Sequence, residues 1–307
     1  MRTRTRSFSL FVIVLILAML LGSQSFAEGA AADGFTAVSS NMRGAVKVKK
    51  GVIYQQPSTK SAVVTTLSFA TKVATVREKG NWYYVSYSKN NKTYEGYMTG
   101  SQVVKYDKHK KHIALTFDDG PKAGSTNIVL NALQKNGCRA TFFLVGRSIN
   151  RKTRKLVKRE KALGCEIGNH SYSHPKLGGS GAKGQLAKTD KIIKSVIGTK
   201  PTLCRAPYGS INNAVLRLMK RPHILWSVDT LDWKHRNTSK LIATVKRQKR
   251  DGAIILMHDL HKTTARGVDA ICRDLKNSGY EAVTVTELAA INGKSLKAGK
   301  SYRSLYK

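Results

Sequence analysis

From residue 112 onward, short apolar runs alternate with segments of helical periodicity. Runs such as 113–117, 140–145 and 253–257 are typical of buried strands, whereas 127–136 and 239–248 space their apolar residues as a helix does. Regular alternation of this kind predicts an α/β fold with a parallel sheet. Seven or eight such units favour a (β/α) barrel, whose chemistry lies at the carboxyl ends of the strands.

Two adjacent carboxylates, Asp118 and Asp119, follow the first predicted strand and precede a Gly-Pro break. Where a strand ends and the chain turns, both side chains can face one cleft. They would repel each other there unless a cation were bound nearby. One carboxylate could then bind the metal while the other remained free as a base. An Asp-Gly-Pro sequence is also a common surface turn, so the other strand ends must decide between the two interpretations.

Other strand ends carry the groups that a metal-dependent hydrolase needs. His170 and His174 lie four residues apart on a predicted loop, and with a carboxylate they form a set suited to Zn²⁺ or a similar divalent ion. Such an ion would polarise an acyl oxygen and lower the pKa of its water. Because the carboxyl ends of successive strands converge on one mouth, we expect further polar and aromatic residues there: Arg205, Pro207, Tyr208, Asp229, Asp232, Trp233 and His258.

Five segments, in order along the chain, resemble the NodB-type polysaccharide deacetylases, carbohydrate esterase family 4. They are residues 116–121, 170–174, 205–208, 229–233 and 256–258. Each segment alone is a weak signal, but five in the expected order are highly specific. The resemblance implies a distorted (β/α) barrel, and we assign it to residues 112–292.

The resemblance also implies a role for each matching residue. Asp118 would be the general base, Arg205 would orient it, and Asp232 would pair with Arg205. A divalent metal, Zn²⁺ or alternatively Co²⁺ or another ion, would be held by three ligands: Asp119, His170 and His174.

The remaining roles concern the acyl group and the leaving amine. The backbone N–H of Tyr208, with the metal, would stabilise the oxyanion, and His258 would protonate the amine. The acetyl pocket would be walled by Pro207, Trp233 and Leu256. No role is assigned to His223 or His235, Trp226 is expected in the core, and Asp259 could either tune His258 or lie at the surface.

Residues 44–104 predict several short strands in a compact stretch, which favours a small all-β barrel. The stretch resembles bacterial SH3-like (SH3b) domains through residues 46–48, 72–76 and 80–85, although Ala70 and residues 96–98 depart from that pattern. The resemblance implies a cell-wall-binding module. Its aromatic residues could equally be plain barrel core.

The N-terminus has the three parts of a cleavable secretory signal over residues 1–27: a basic start, an apolar run at 10–21 and small residues near Ala27. An uncleaved anchor is the alternative. Linkers are predicted at 28–43 and 105–111, and a C-terminal tail at 293–307. We therefore expect a secreted, wall-associated protein that is monomeric and has no membrane span after cleavage.

The formal net charge is +36, from 54 Lys and Arg against 18 Asp and Glu. Such a charge attracts polyanions, which outside a cell include teichoic acids and the carboxylates of peptidoglycan. A surface adapted to its medium is an equal alternative. We expect no nucleic-acid partner, because no nucleic-acid-binding motif accompanies the charge and the chain has a secretory signal.

Four cysteines lie in the C-terminal part, an even number that allows one or two disulfides in a secreted chain. Cys138 and Cys165, each before a predicted strand, are the expected pair if a disulfide forms, but buried free thiols are the favoured alternative.

The sequence as a whole predicts a secreted, metal-dependent N-deacetylase of N-acetylglucosamine, with peptidoglycan as the preferred substrate. Chitin, exopolysaccharide and acetylated xylan are alternative substrates on the same fold. A catalytically silent wall-binding protein is the non-enzymatic alternative.

Overall fold

The computed structural model describes residues 34–178 and 181–307, which form an all-β domain followed by a mixed α/β domain. The predicted secretory signal at 1–27 and the first part of the linker at 28–43 lie outside these residues. Within them, none of the helices combines the length and the apolar character needed to span a membrane.

The N-terminal domain is an antiparallel sheet of eight strands that encloses a small core. Its strands are β1 (Thr36–Ala37), β2 (Met42–Val46), β3 (Lys50–Tyr54), β4 (Val63–Ser68), β5 (Lys72–Lys79), β6 (Trp82–Lys89), β7 (Lys92–Thr99) and β8 (Val103–Asp107). They are ordered β4-β3-β7-β6-β5-β2-β8, with β1 paired to β5. Because side chains alternate between faces, Val46, Ile53 and Val85 point inward and are fully buried.

The C-terminal domain alternates strands and helices, as the sequence pattern predicted. Its strands are β9 (Lys111–Asp118), β10 (Thr141–Leu144), β11 (Glu166–Asn169), β12 (His223–Ile224), β13 (Val228–Asp229), β14 (Ile254–His258), β15 (Tyr280–Val283) and β16 (Ser301–Tyr302). Its helices are α1 (Thr126–Asn136), α2 (Arg154–Ala162), α3 (Gly181–Ile197), α4 (Asn213–Met219), α5 (Asp232–His235), α6 (Thr238–Gln248), α7 (Lys262–Asn277) and α8 (Val285–Ile291).

The main sheet of this domain is parallel and is built around β9. Its order is β11-β10-β9-β14-β13, and β15 pairs with the first half of β9. The register places Asp118 level with Phe143 on one side and with His258 on the other. The carboxyl ends of the central strands therefore meet at one edge, where the predicted site residues lie.

The strands that the sequence predicts at 203–205 and 224–228 are shortened, which distorts the barrel. Cys204 forms only isolated bridges to Asn169 and His223, and the run at 224–228 is divided between β12 and β13. The carbonyl oxygens of Ile224 and Leu225 accept hydrogen bonds from the Arg205 guanidinium, at 2.9 Å each. Because a side chain occupies these acceptors, they do not take part in a regular strand ladder.

The two domains are joined through α8. The apolar run at 282–285 predicts a strand, but α8 begins at Val285, after a capping box formed by Thr284 and Glu287. Glu287 also pairs with Lys47 of the N-terminal domain at 2.9 Å. Ala45 and Val104 share a buried apolar cluster with Leu288 and other residues of α8, so the contact between the domains is partly a hydrophobic core.

The four cysteines are free, as the favoured alternative predicts, and Cys138 does not pair with Cys165. Because Cys138 follows α1, and α1 packs against α7, its thiol contacts Cys272 of α7, and this hydrogen bond lowers the pKa of Cys138. Cys165 lies between α2 and β11, where burial raises the pKa of its thiol to about 12.

Candidate active site

Asp119, His170 and His174 come together at the carboxyl ends of β9 and β11. One ligand atom from each lies within 4.8 Å of the others, and Asp119 Oδ1 is 3.4 Å from His170 Nε2 and 3.1 Å from His174 Nε2. This oxygen is buried and forms no hydrogen bond with the described residues. An orphaned carboxylate oxygen beside two imidazole nitrogens fits a divalent cation with an open coordination position.

The surroundings of the three residues prepare them for binding a metal. Burial alone would raise the pKa of Asp119, but the two imidazoles beside it hold that pKa well below its usual range, so the carboxylate is ionised. His170 Nδ1 lies 2.7 Å from the backbone oxygen of Arg205. Donation of the Nδ1 proton to this carbonyl would leave Nε2 free as a ligand, an arrangement typical of metal-binding histidines.

The loop that carries both histidines is held by side chains of β11 and α3. Asn169 Oδ1 accepts a hydrogen bond from the Ser171 N–H at 2.8 Å, and Gln185 Oε1 accepts one from the Tyr172 N–H at 3.0 Å. Several non-glycine residues at the mouth of the barrel adopt left-handed backbone conformations, which cost energy and cluster at functional sites. They are Asp119 (φ 72°), Ser171 (φ 66°), His174 (φ 63°), Tyr208 (φ 61°) and Leu231 (φ 52°).

Asp118 has different partners from those of Asp119. Its Oδ1 accepts a hydrogen bond from Arg205 Nη1 at 2.7 Å, and its Oδ2 lies 3.7 Å from His170 Nε2. The Arg205 side chain is fully buried and also donates to Thr116 Oγ1 at 2.9 Å. The adjacent carboxylates are therefore separated: one faces the two histidines, and the other is held by a buried cation.

Asp232 does not pair with Arg205, which corrects the expectation from the sequence. All the hydrogen bonds of Arg205 go to Asp118, Thr116 and backbone oxygens. Asp232 lies on α5, beyond β13, where its Oδ1 is 2.8 Å from His258 Nδ1 and its Oδ2 accepts the His258 N–H. The strand order decides this, because β13 is adjacent to β14, which ends at His258.

The pair of Asp232 and His258 is strongly coupled electrostatically. Burial alone would lower the pKa of His258, but the hydrogen bond and charge of Asp232, with the charges of Asp118 and Asp119, raise it to about 9. Thr264 Oγ1 donates to Asp232 Oδ2 at 2.6 Å and fixes the carboxylate further. The imidazole is therefore protonated at neutral pH and can donate a proton.

A cavity of about 480 Å³ opens above these groups. Trp233, which is 47% exposed, and the buried Leu256 line it, as expected. Tyr208 lines it from the 3₁₀ turn Pro207–Gly209. Pro207, the first residue of this turn, is buried and is not among the residues that line the cavity, which corrects its assignment to the pocket. The lining residues are Asp118, Asp119, His170, His174, Tyr208, Gly209, Trp226, Asp229, Trp233, Leu256 and His258.

Comparison with known proteins identifies a family with this fold and this arrangement of residues. Residues 105–224 match the family model for polysaccharide deacetylases, and residues 50–104 match that for bacterial SH3 domains. Over 190 residues, the chain is 34% identical to a peptidoglycan-N-acetylglucosamine deacetylase of Bacillus cereus, covering 59% of this chain and 69% of that protein. The chain belongs to the polysaccharide deacetylase family. The predicted resemblance and fold class are thereby confirmed.

Two further relatives show the range of proteins in the deacetylase family. The peptidoglycan-N-acetylglucosamine deacetylase PgdA of Listeria monocytogenes is 44% identical over 198 residues, which cover 64% of this chain but only 42% of the Listeria protein. A family 4 acetyl xylan esterase from Clostridium thermocellum, solved with a cobalt ion, has a TM-score of 0.61 and is 33% identical; the match covers 63% of this chain and 98% of that one.

Some residues of the candidate active site were given no definite role by the sequence. His223 Nε2 accepts the Ala206 N–H at 2.8 Å and so supports the turn that carries Tyr208. Burial, and then the charge of Arg205, lowers the pKa of His223 to about 3, so it is the neutral acceptor that this bond requires. Asp259 is fully buried and bonded to Thr126, which excludes a surface position for it. Their positions in sequence give no sign of these contacts.

Proposed function

We propose that this protein is a secreted, metal-dependent polysaccharide N-deacetylase that removes the acetyl group from N-acetylglucosamine residues of peptidoglycan. The supporting observation is that the Asp-His-His set, a carboxylate held by a buried arginine and a protonated histidine all line one cavity. The named activities of the relatives from Bacillus cereus and Listeria monocytogenes agree with this reaction.

In the proposed reaction, Asp118 takes a proton from the water that attacks the acetyl carbonyl. Arg205 keeps this carboxylate oriented, because its guanidinium holds Oδ1 while the rest of the guanidinium is bonded to fixed oxygens. A divalent ion held by Asp119, His170 and His174 would supply Lewis-acid polarisation of the acyl oxygen.

His258 completes the proposed reaction by protonating the leaving nitrogen. An amide nitrogen is a poor leaving group until it is protonated, so an acid on the far side of the acyl group from the base is required. Asp232 keeps His258 in its charged form and fixes its ring through Nδ1, which leaves Nε2 to donate. The backbone N–H of Tyr208 is the proposed oxyanion donor, and Trp233 with Leu256 would enclose the acetyl methyl group.

We also propose that the SH3-like domain binds cell-wall polymer. Two edge-to-face aromatic pairs, Tyr54 with Trp82 and Tyr84 with Tyr97, have ring centroids 6.1 and 5.1 Å apart. All four rings are half-buried and lie outside the apolar core cluster of the domain, so they are available for a ligand. Secretion, proposed from residues 1–27, would bring the domain to the wall.

Acetate release tests the proposed activity. The purified chain is incubated with peptidoglycan, chitin oligomers or acetylated xylan, with and without a chelator. We expect acetate from peptidoglycan, loss of activity in chelator, and recovery when Zn²⁺ or Co²⁺ is restored. Asp118→Asn should lower kcat by about 10²- to 10⁴-fold, the usual contribution of a general base.

Asp269→Asn is the matched control, because it removes a carboxylate on α7 that pairs with Lys135 and does not line the cavity. Its activity should equal that of the wild type. Failure to release acetate from any glycan would contradict the enzymatic proposal, and release that resists the chelator would contradict the metal. Acetate from xylan alone would identify an esterase instead.

A further inference from the structure

A second groove, of about 520 Å³, adjoins the metal-ligand set and shares Asp119 and His174 with the acetyl cavity. Its other walls come from two loops at the carboxyl edge of the sheet: residues 121–123 after β9, and residues 145–153 after β10. A polysaccharide whose N-acetyl group enters the cavity would extend beyond the metal on both sides. The groove is therefore positioned to receive a neighbouring part of the chain.

Three cations line this groove: Lys122, Arg147 and Lys152. All three side chains are exposed, and among the described residues none forms an ion pair with a carboxylate. Asp119, assigned above to the metal, is the one acidic residue among those that line the groove. We call these three residues the cationic groove. Charges gathered in a concave surface and not neutralised by the protein favour an anionic ligand.

The backbone beneath these side chains is fixed to the site. The N–H groups of Gly146 and Arg147 each donate to a carbonyl of the histidine loop, Ser171 and Tyr172, at 2.9 Å. The Lys122 N–H donates to Thr126 Oγ1 at 2.8 Å, and the Lys152 N–H donates to Asn150 Oδ1 at 2.9 Å. The cations therefore project from ordered turns whose positions depend on the same loops as the metal ligands.

The cationic charge continues beyond the groove. Lys122 and Leu260 also line a smaller pocket of about 310 Å³, whose other walls include Arg236 and Lys262. No acidic residue lines this second pocket. A ligand that carries more than one negative charge could therefore follow a single cationic path along the mouth of the barrel.

The candidate substrates differ in formal charge. Oligomers of N-acetylglucosamine and acetylated xylose units carry no formal charge, whereas peptidoglycan bears a lactyl group with a peptide stem, and hence carboxylates, on alternate sugars. We propose that the cationic groove binds a carboxylate of the lactyl-peptide substituent next to the N-acetylglucosamine being deacetylated, and so makes the enzyme selective for an anionic glycan. This inference rests on the proposed deacetylase function, which it refines by naming the group that is recognised.

A matched pair of substrates tests this selectivity. The first is a soluble oligosaccharide of alternating N-acetylglucosamine and N-acetylmuramic acid with free carboxylates, and the second is the same oligosaccharide with its carboxyls amidated. For the wild-type chain, we expect kcat/KM for acetate release to be at least about 10-fold higher on the anionic form, since two charge-assisted contacts of modest strength supply such a factor. The preference should shrink as salt is raised from 50 to about 500 mM.

The double variant Arg147→Gln with Lys152→Gln should lose most of this preference. We expect a fall of about 10-fold or more in kcat/KM on the anionic oligosaccharide, expressed mainly in KM, with a much smaller change on the amidated one. The control is Lys155→Gln with Lys158→Gln, which removes the same charge from exposed residues of α2 outside the groove. This control should retain the wild-type preference.

The outcomes separate this inference from the proposed function. If the wild type releases no acetate from either substrate, the proposed deacetylase function fails. If it acts on both equally, or if the groove variant and the control behave alike, only the assignment of the groove is overturned. Inhibition by poly(glycerol phosphate) that the groove variant escapes, without any preference between the two oligosaccharides, would assign the groove to a phosphate polymer and also overturn it.

Discussion

At the scale of single residues, side chains of the same type differ in their chemical properties because they have different neighbours. Asp118 and Asp119 are adjacent, yet one accepts a hydrogen bond from buried Arg205 and the other faces His170 and His174. His258 and His223 differ in the same way. Asp232 raises the pKa of His258 to about 9, whereas burial lowers that of His223 to about 3. The first imidazole carries a proton that it can donate, whereas the second stays neutral and accepts a hydrogen bond from the Ala206 N–H.

The influence of Asp232 can be measured from the pH dependence of catalysis. If His258 is the general acid, activity falls at alkaline pH as His258 loses its proton. Asp232→Asn removes the charge that raises this pKa, so the alkaline limb of kcat/KM should move toward lower pH by about one unit or more. The measurement is acetate release between pH 6 and 10.

Thr264→Val is the control for this prediction. It removes only the hydroxyl that donates to Asp232 Oδ2 and leaves the charge of Asp232 in place, so the alkaline limb should stay close to its wild-type position. An alkaline limb that stays in place in Asp232→Asn would exclude His258 as the titrating acid.

At the scale of elements, α2 contains a buried acidic side chain that makes the stability of the protein depend on pH. Glu160 is fully buried on this helix, and neither carboxylate oxygen has a hydrogen-bond partner among the described residues. Burial, and then the charge of Asp259, raises its pKa well above the ordinary value of 4.5. The folded chain therefore holds Glu160 protonated, whereas the unfolded chain ionises it as pH rises above about 4.5. Because of Glu160, the free energy of unfolding falls as pH rises above about 4.5.

Glu160→Gln should remove this part of the pH dependence. In urea unfolding at pH 5 and pH 8, the wild type should lose stability at the higher pH, and the variant should lose less. Glu95→Gln, an exposed substitution on β7, should leave the wild-type difference unchanged. If Glu160→Gln shows the same loss as the wild type, the ionisation of Glu160 does not control this stability.

At the scale of the whole molecule, one buried carboxylate links the two domains. Glu287 pairs with Lys47 of the N-terminal domain and with Arg139 of the C-terminal domain, each at 2.9 Å. Burial alone would raise the pKa of Glu287, but Lys47 and Arg139 lower it to about 2. Because the folded pKa lies below the ordinary 4.5, this contribution to stability is present above about pH 4.5 and is lost as pH falls toward 2.

Glu287→Ala should destabilise the protein by about 3 kcal/mol at pH 7, the lower end for breaking a buried pair, because both cations are partly exposed. Unfolding followed by calorimetry at pH 7 and pH 3 checks this value, and the difference from the wild type should shrink at the lower pH. Lys47→Met, which removes only the contact from the N-terminal domain, should cost less. Equal stability of wild type and Glu287→Ala at pH 7 would contradict a stabilising role for this link.

Sequence pattern alone was sufficient to predict most of the elements and to indicate which residues lie together at the candidate site. The apolar run before Asp118 and the periodicity of 127–136 depend on neighbours in the chain, so β9 and α1 could be predicted close to their observed limits. The sequence pattern predicts a helix only from residue 270, whereas α7 begins at Lys262, because its first two turns lack apolar periodicity and are fixed by packing against α1 and α6. Likewise, α8 could not be distinguished from a continuing strand, because its short apolar run fits either period.

The sequence by itself determined which chemical groups this protein carries and that they follow successive strands, because both are properties of local order along the chain. Only the tertiary structure decided how they pair. Asp232 bonds to His258 rather than to Arg205 because β13 lies beside β14. His223 supports Ala206, and three scattered cations line one groove, because strand order and register bring distant segments together. These contacts depend on the arrangement of the sheet in space, which no local pattern specifies.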